Sequence, residues 1–275
     1  APPTSSLPAW VPPARRLLST GSTALSDVWR VDQGSCGLGD SLSSCSSFTL
    51  ITDAAPWGPR HSHSAASFGG RMWLVAGDAG GGALDDVWSS TDGLNWVQDA
   101  ASAGFGTRFG ASLTPLVLGG AGNDQHMLLL VGGMAQTGAG ESYYGDVWGG
   151  TLIIDATTTP ASSSLSWRLL AASPGFSPRA FHAAASTNFG GNPGVMVMGG
   201  FAAGLDTQGD AWTTADGVLW APAPSPPPFA ARAGHAMAYC RGSLYAVGGI
   251  AGAASNPDTA PYFLHDAWAL SAAGT

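Results

Sequence analysis

The sequence predicts an all-β propeller of five four-stranded antiparallel blades, with six blades as the alternative. The tripeptide Asp-Val/Ala-Trp occurs five times, and its Asp residues are spaced by 59, 60, 64 and 56 residues. A period of this size marks a repeat architecture. Each repeat contains short apolar runs bounded by Gly, which indicate strands. Even spacing of such strands, with glycine and aromatic motifs in every repeat, is typical of a propeller.

The repeat that begins at Arg60 shows how each blade is expected to form. Strand one follows Arg60, and strand two is the apolar run 72–76, which ends at Gly77. Strand three contains Asp86-Val87-Trp88, and strand four begins near Trp96. Because a blade cannot bury its faces alone, the Trp side chains are expected to pack between neighbouring sheets.

Two charged positions recur in register, an Arg at the start of the repeat and the Asp of the tripeptide. An unpaired buried charge is costly, so we expect these side chains to bond backbone groups or each other between blades. The recurring residues are Arg60, Arg108, Arg179 and Arg232; Asp27, Asp86, Asp146, Asp210 and Asp266; and Trp29, Trp88, Trp148, Trp212 and Trp268.

The motif order resembles the kelch repeat, in its galactose-oxidase-like propeller branch. The shared order is Arg-x-x-His, apolar strand, Gly-Gly, Asp-x-Trp and Asp-Gly-x-x-Trp, and it covers roughly residues 10–270. The resemblance implies the propeller fold, in a family that more often has six or seven blades, and it says little about function. The third repeat departs from the pattern, because Ala111 stands where the His is expected and residues 156–164 form an insertion.

We expect one domain, spanning residues 1–275, and a ring closed by the N-terminal segment. The repeat units are roughly 14–55, 56–103, 104–174, 175–227 and 228–275. The last unit contains three predicted strands, and residues 7–11 resemble the fourth-strand context of the other units. Pairing these residues with the last sheet would remove an open edge, which is an aggregation hazard. In the first unit, residues 17–21 are the candidate second strand.

Composition excludes some partners and indicates a location. The net charge is −8 and all ten basic residues are Arg, so no basic stripe for nucleic acid is expected. No apolar run reaches the length of about 18 residues that a membrane span needs. Low charge, abundant small residues and two Pro-rich stretches, 2–13 and 221–228, indicate an extracellular, cell-surface or wall protein, and Ser/Pro runs resemble sites of hydroxyproline-linked glycosylation.

The three cysteines divide into a candidate disulfide and a single thiol. Cys36 and Cys45 flank a Gly/Ser-rich insertion in the first unit, where a disulfide would tie down the loop in an oxidising compartment. Cys240 falls in the predicted first strand of the fifth unit, where we expect a buried free thiol.

The interpretation of this sequence as an enzyme lacks the residues that the candidate reactions would need. A copper radical site of the galactose oxidase type needs convergent His and Tyr, whereas His63, His182 and His235 occupy equivalent positions in different units. The Asp92-Gly93 turn resembles an Asp box, which is an outer turn, and an iron site is disfavoured because Glu141 is the only Glu. We therefore expect no catalytic residues, no metal and no cofactor.

Binding is the function that the sequence favours, because long loops on a rigid scaffold commonly carry it. The long connections join strands two and three, at 77–84, 134–144, 201–209 and 250–264. The candidate binding residues in them are Tyr143, Tyr144, Tyr262 and Phe263, which would stack on sugars or anchor a protein. The alternative is that these rings pack over the blade beneath them.

The sequence thus predicts a non-catalytic extracellular propeller that serves as a protein- or glycan-interaction scaffold within a larger surface assembly. Two alternatives stay open. One is a secreted carbohydrate-active or oxidase-type enzyme on the same fold. The other is an intracellular kelch adaptor, which predicts reduced cysteines.

Overall fold

The structure is a computed structural model that describes residues 24–33, 46–117, 126–138, 140–155, 157, 162–189, 191–252 and 262–271. The regular secondary structure of the described chain is β-strand apart from one short 3₁₀ turn, and turns and loops connect the strands. Its sheets are antiparallel and arranged in a ring, so the predicted all-β propeller is confirmed.

The described part of each unit contributes one main sheet, in the strand order that the repeat predicts, and the third unit adds a separate two-stranded hairpin. The first unit contributes β1 (Val28–Gln33) and β2 (Ser46–Thr52). The second contributes β3 (Ser64–Phe68), β4 (Arg71–Asp78), β5 (Ala83–Ser90) and β6 (Trp96–Ala100). The third contributes β7 (Ser112–Leu116), β8 (Met127–Val131), the hairpin β9 (Met134–Thr137) and β10 (Gly140–Tyr143), then β11 (Val147–Asp155) and β12 (Ser162–Ala171).

The fourth and fifth units continue the pattern. The fourth contributes β13 (Ala183–Phe189), β14 (Asn192–Met198), the 3₁₀ turn η1 (Ala203–Leu205), β15 (Ala211–Thr214) and β16 (Ala221–Pro222). The fifth contributes β17 (Ala236–Cys240), β18 (Ser243–Ala251) and β19 (Tyr262–Ser271). The second, third and fourth units thus form four-stranded sheets, and the described part of the fifth forms a three-stranded sheet.

The first strands lie at the centre of the ring. β3 contacts β7, β7 contacts β13, and β13 contacts β17. A chain of backbone hydrogen bonds joins the residues two positions after each Arg: the N–H groups of Gly110, Phe181 and Gly234 donate to the carbonyls of Ser62, Gly110 and Phe181. All four residues have φ between 52° and 65°, a left-handed conformation that Phe181 adopts only at some energetic cost.

The core lies between neighbouring sheets. Between the third and fourth units, Leu129, Val131, Val147, Val195 and Val197 are each fully buried. Between the fourth and fifth units, the cluster is Ala185, Met196, Met198, Ala211, Leu244 and Ala246, a set with more alanine. Sheet faces that a single blade cannot bury are thus covered by the next blade.

Two sequence predictions are corrected by the structure, and others fall on residues that it does not describe. Residues 162–164, assigned to the insertion, pair with β11 as the first residues of β12, because the β11–β12 hairpin continues beyond the sheet. Cys240 lies in β17 as expected, but it is exposed rather than buried, because it sits at the β17–β18 turn. Residues 7–11 and 17–21 and the pair Cys36 and Cys45 lie outside the described residues, so these predictions stand untested.

Candidate functional site

The connections between strands two and three lie at one end of the ring, which we call the loop face. The residue after each Arg forms an isolated β-bridge with the residue that follows Gly77 or the Gly-Gly pair of the same unit: His61 with Asp78, Phe109 with Met134, Ala180 with Phe201, and Ala233 with Ile250. The Arg segments and the long loops are therefore parts of one surface. The turns between strands three and four lie at the opposite end, because the strands are antiparallel.

The recurring Arg and Asp form a bidentate ion pair within each of the second to fifth units. The Arg Nη1 to Asp Oδ1 distance is 2.7 Å for Arg60–Asp86, 2.8 Å for Arg108–Asp146, and 2.7 Å for both Arg179–Asp210 and Arg232–Asp266. In each pair Nη2 also donates to the second carboxylate oxygen. The pair thus joins two segments of one unit, so the prediction that these side chains bond between blades is wrong. The bond to the preceding unit comes from the main-chain N–H of each Arg.

Each tripeptide Trp completes this arrangement. The indole Nε1 donates to the Asp two residues earlier, at 2.7 Å in Trp88, Trp148, Trp212 and Trp268 and at 2.6 Å in Trp29. Although burial opposes it, the hydrogen bonds from Arg179 and Trp212 lower the pKa of Asp210. These repeated side chains are occupied by one another, which gives them a structural role.

Tyr143 packs over the apolar mouth of the third and fourth units. It contacts the clusters that contain Phe109, Met134, Phe201 and Leu205. Its hydroxyl donates to Glu141 at 3.3 Å. Burial, followed by the negative charge of Glu141, raises the pKa of Tyr143. This ring is therefore a packing element of the loop face.

Tyr144 is likewise engaged by its own unit. Its ring lies 4.2 Å from the Arg108 guanidinium carbon, and its hydroxyl donates to the carbonyl of Thr107 at 3.2 Å. A guanidinium over an aromatic face is an attractive arrangement. Tyr144 covers the ion pair of the third unit.

Tyr262 and Phe263 are the exposed members of the predicted set. They begin β19 and pair with Ala251 and Ile250 at the loop-face end of the fifth sheet. Tyr262 is 55% exposed and Phe263 is 76% exposed. The structure therefore divides the four candidates into two packed rings in the third unit and two exposed rings in the fifth.

Contacts between loops make the face continuous across the third, fourth and fifth units. Strand β10 contacts η1, and the Thr207 hydroxyl donates to the carbonyl of Gly252 at 3.2 Å. The rings of Phe109, Phe181 and Phe201 form an edge-to-face chain with centroids 6.1 and 6.3 Å apart. These contacts hold the loops in a fixed arrangement, so the face presents a shaped surface.

The three equivalent histidines do not converge on a common site. His182 and His235 are buried and His63 is exposed. His182 Nε2 lies 2.8 Å from the Ser112 hydroxyl of the preceding unit, whereas both ring nitrogens of His235 are buried without a partner among the described residues. Burial and the charges of Arg179 and His235 lower the pKa of His182 to about 3, and burial and Arg232 lower that of His235 to about 4.

Other predicted features have ordinary structural partners. In the turn at Asp92, Oδ1 accepts from the N–H groups of Leu94 and Asn95, and Asp216 makes the same pair of bonds. Within the described ranges, no three His, Cys, Asp or Glu side chains are grouped as metal ligands. No described helix is long and apolar enough to cross a membrane.

Comparison with known proteins supports the fold alone. The chain aligns with the solved structure of YjhT over 82% of its own length and 69% of that chain, with a TM-score of 0.53 and 15% identity. It is a β-propeller related structurally to YjhT, a kelch-repeat protein. No protein-family model matches the sequence, and no curated protein matches it. Since folds of this kind host many functions, the similarity assigns none.

Sequence reasoning missed a recurring aromatic residue three positions before each Arg. The rings are Trp57, Phe105, Phe176 and Phe229. Phe176 packs against Trp212 and Trp220 with centroids 5.9 and 5.3 Å away, and Phe105 packs in the same way on Trp148 and Trp167. The constant spacing of three residues was the signal that could have found this position.

Proposed function

We propose that this protein is a non-catalytic kelch-type propeller that binds a protein or glycan through its loop face, outside the cell or at its surface. One observation carries the proposal: Tyr262 and Phe263, consecutive residues of β19, are both exposed at the loop-face end of the fifth sheet, where side-chain and backbone contacts hold the loops. Exposed aromatics on a rigid frame are suited to stacking on sugar rings or anchoring a partner.

The kelch assignment and the five-bladed ring are parts of the same proposal. The support is the recurrence of Arg, Gly-Gly, Asp-x-Trp and the second Trp at fixed positions. The described residues form sheets in five successive units. We further propose that residues 7–11 pair with β19 as the fourth strand of the last sheet, since β19 has ten residues and one described neighbour, β18.

Binding is tested with a paired set of surface variants. The double variant Tyr262→Ala/Phe263→Ala should reduce retention on glycan arrays, or on the protein fraction of an extracellular extract, at least tenfold. Leu219→Ala is the matched control, because Leu219 is also 76% exposed but lies in a turn at the opposite end. Equal binding by wild type and the double variant would refute the role of this face.

Location is tested by the cysteines. Mass spectrometry of the protein from its natural source, without reduction, should find Cys36 and Cys45 joined and hexose or pentose on the Pro-rich stretches. Free thiols at both positions and an unmodified mass would favour the intracellular adaptor instead, because disulfides persist in oxidising compartments.

A further inference from the structure

A cavity of about 260 Å³ lies between the sheets of the fourth and fifth units. Its wall on the fourth unit includes Met196, Met198, Ala211 and Ala223. The fifth unit contributes Phe229, Leu244, Ala246 and Trp268. The lining is almost entirely apolar, and the Pro-rich segment 225–228 borders it.

The repeat shows what fills this position elsewhere. Counted back from Gly-Gly, Met196 and Met198 correspond to Leu129 and Val131 of the third unit. By the same count, Leu244 and Ala246 correspond to Val195 and Val197 of the fourth. All four of these counterparts belong to the cluster between the third and fourth units, and Trp220 packs into that cluster.

The aromatic residues give the same correspondence. Between the third and fourth units, Phe176 packs edge-on against both Trp212 and Trp220. Between the fourth and fifth units, Phe229 packs against Trp268, the counterpart of Trp212, with centroids 5.4 Å apart. In the described part of the fifth unit, no Trp corresponds to Trp220. The cavity therefore has the surroundings of the Trp220 indole.

The chain contains one further tryptophan that suits this position. Ten of its eleven Trp residues lie in the described ranges, and the eleventh is Trp10. Leu7-Pro8-Ala9-Trp10-Val11 resembles Leu94-Asn95-Trp96-Val97, which enters the fourth strand of the second unit. An indole is large, apolar and suited to edge-on contact with Phe229.

We propose that the cavity between the fourth and fifth units is the binding site of the Trp10 indole of the same chain. The inference rests on the proposed pairing of residues 7–11 with β19 and adds the side chain that fixes its register. Burial of an indole between two sheets makes the closing segment a part of the core. It also converts a strand that would be held by edge hydrogen bonds into one held by packing.

The experiment uses the full chain labelled with 5-fluorotryptophan, with the Trp10→Phe variant assigning the ¹⁹F resonance of residue 10. We expect a soluble paramagnetic agent to broaden this resonance as little as that of Trp73, which is fully buried. Ala246→Phe, which fills the cavity, should make the Trp10 resonance as accessible as that of free fluorotryptophan. Ala236→Phe, at an exposed position of the same sheet, should leave it protected.

Three results would overturn the proposal. The first is a Trp10 resonance that is accessible in the wild-type chain. The second is protection that depends on protein concentration, since this would place Trp10 in a second copy. The third is protection that persists in Ala246→Phe. Hydrogen exchange of residues 7–11 separates the two proposals: protected amides with an accessible indole would retain the strand pairing and reject the cavity as its site.

Discussion

The interface between the third and fourth units and the interface between the fourth and fifth units use the same repeat positions with different side chains. Val147 and Val197 of the first interface become Ala211 and Ala246 in the second, and the second contains a cavity. The fourth strands of the third and fourth units also differ in length. Strand β12 has ten residues, whereas β16 has two because prolines follow it. One template thus tolerates both an interface that its own residues fill and one whose described residues leave a cavity.

The largest expected difference comes from deleting one wall residue at the same position in each interface. Leu129→Ala should lower the free energy of unfolding by about 4 kcal/mol, because a fully buried side chain is lost from a filled cluster. Met196→Ala should cost about 2 kcal/mol when it is measured in a Trp10→Ala background, because Met196 then borders an empty cavity. Urea denaturation measures both values. Equal losses would show that the two interfaces are packed alike.

Breaking the Arg179–Asp210 ion pair of the fourth unit, which borders both interfaces, should have a large effect on stability. Asp210→Ala leaves the Arg179 guanidinium, which is fully buried, without its counter-ion. We expect the free energy of unfolding to fall by about 3 kcal/mol. Asp53→Ala, at an exposed turn position, is the control and should change it by less than about 0.5 kcal/mol. A small loss in Asp210→Ala would mean that water reaches Arg179.

Acid should weaken both interfaces through their histidines. The pKa values of His182 and His235 are about 3 and about 4 in the folded protein, below their ordinary value of 6.5. Between about pH 6.5 and 4 the unfolded chain therefore binds more protons, so stability falls as the pH is lowered. The slope should approach about 1.4 kcal/mol per pH unit for each histidine.

Urea denaturation at pH 7, 6 and 5 tests this dependence. His235→Gln should remove the share of one histidine from the slope of unfolding free energy against pH and leave the share of His182 unchanged. A wild-type slope near zero between pH 6 and 5 would show that both imidazoles become protonated without unfolding.

The smallest expected effect concerns the hydroxyl that only one of these histidines contacts. Ser112→Ala should cost about 1 kcal/mol, because it removes the partner of His182. In the fourth unit, Ala183 occupies the repeat position of Ser112, and His235 of the fifth unit occupies that of His182. Ala183→Ser should therefore supply a hydroxyl partner for His235 and stabilise the protein by a similar amount. Thermal denaturation of the two variants and their combination measures this. A destabilised Ala183→Ser would indicate that the added oxygen cannot reach His235.

Sequence reasoning predicted the fold well because the repeat encodes it locally. The apolar run before Gly-Gly and the Asp-x-Trp tripeptide each define a strand. Strands β8 and β14 end where the glycines predict, whereas β4 continues one residue beyond Gly77 and β18 continues two residues beyond Gly249. The arginines are a different case. The sequence predicted that the Arg side chains need partners, but it did not show that each Arg pairs with the Asp of its own unit. That pairing depends on the three-dimensional proximity of residues 26 to 38 positions apart.

The candidate binding residues were harder to predict than the fold. A tyrosine in a loop looks the same in sequence whether it packs, as Tyr143 does, or projects, as Tyr262 does. The packed state of Tyr143 depends on Phe201 and Leu205 in the next unit, and no local pattern reports such contacts. The hairpin β9–β10 within a predicted loop was missed for the same reason.

The chain of main-chain hydrogen bonds through Ser62, Gly110, Phe181 and Gly234 has an evolutionary consequence. Since no side-chain atom takes part, these hydrogen bonds do not depend on the side chain that stands there, although the left-handed φ makes glycine the least strained residue at each place. That freedom is visible in the three residue types that occupy the four places. Mutation can therefore change the side chain at these central positions, from none in Gly110 and Gly234 to a phenyl ring in Phe181, while the main-chain hydrogen bonds between neighbouring blades stay the same.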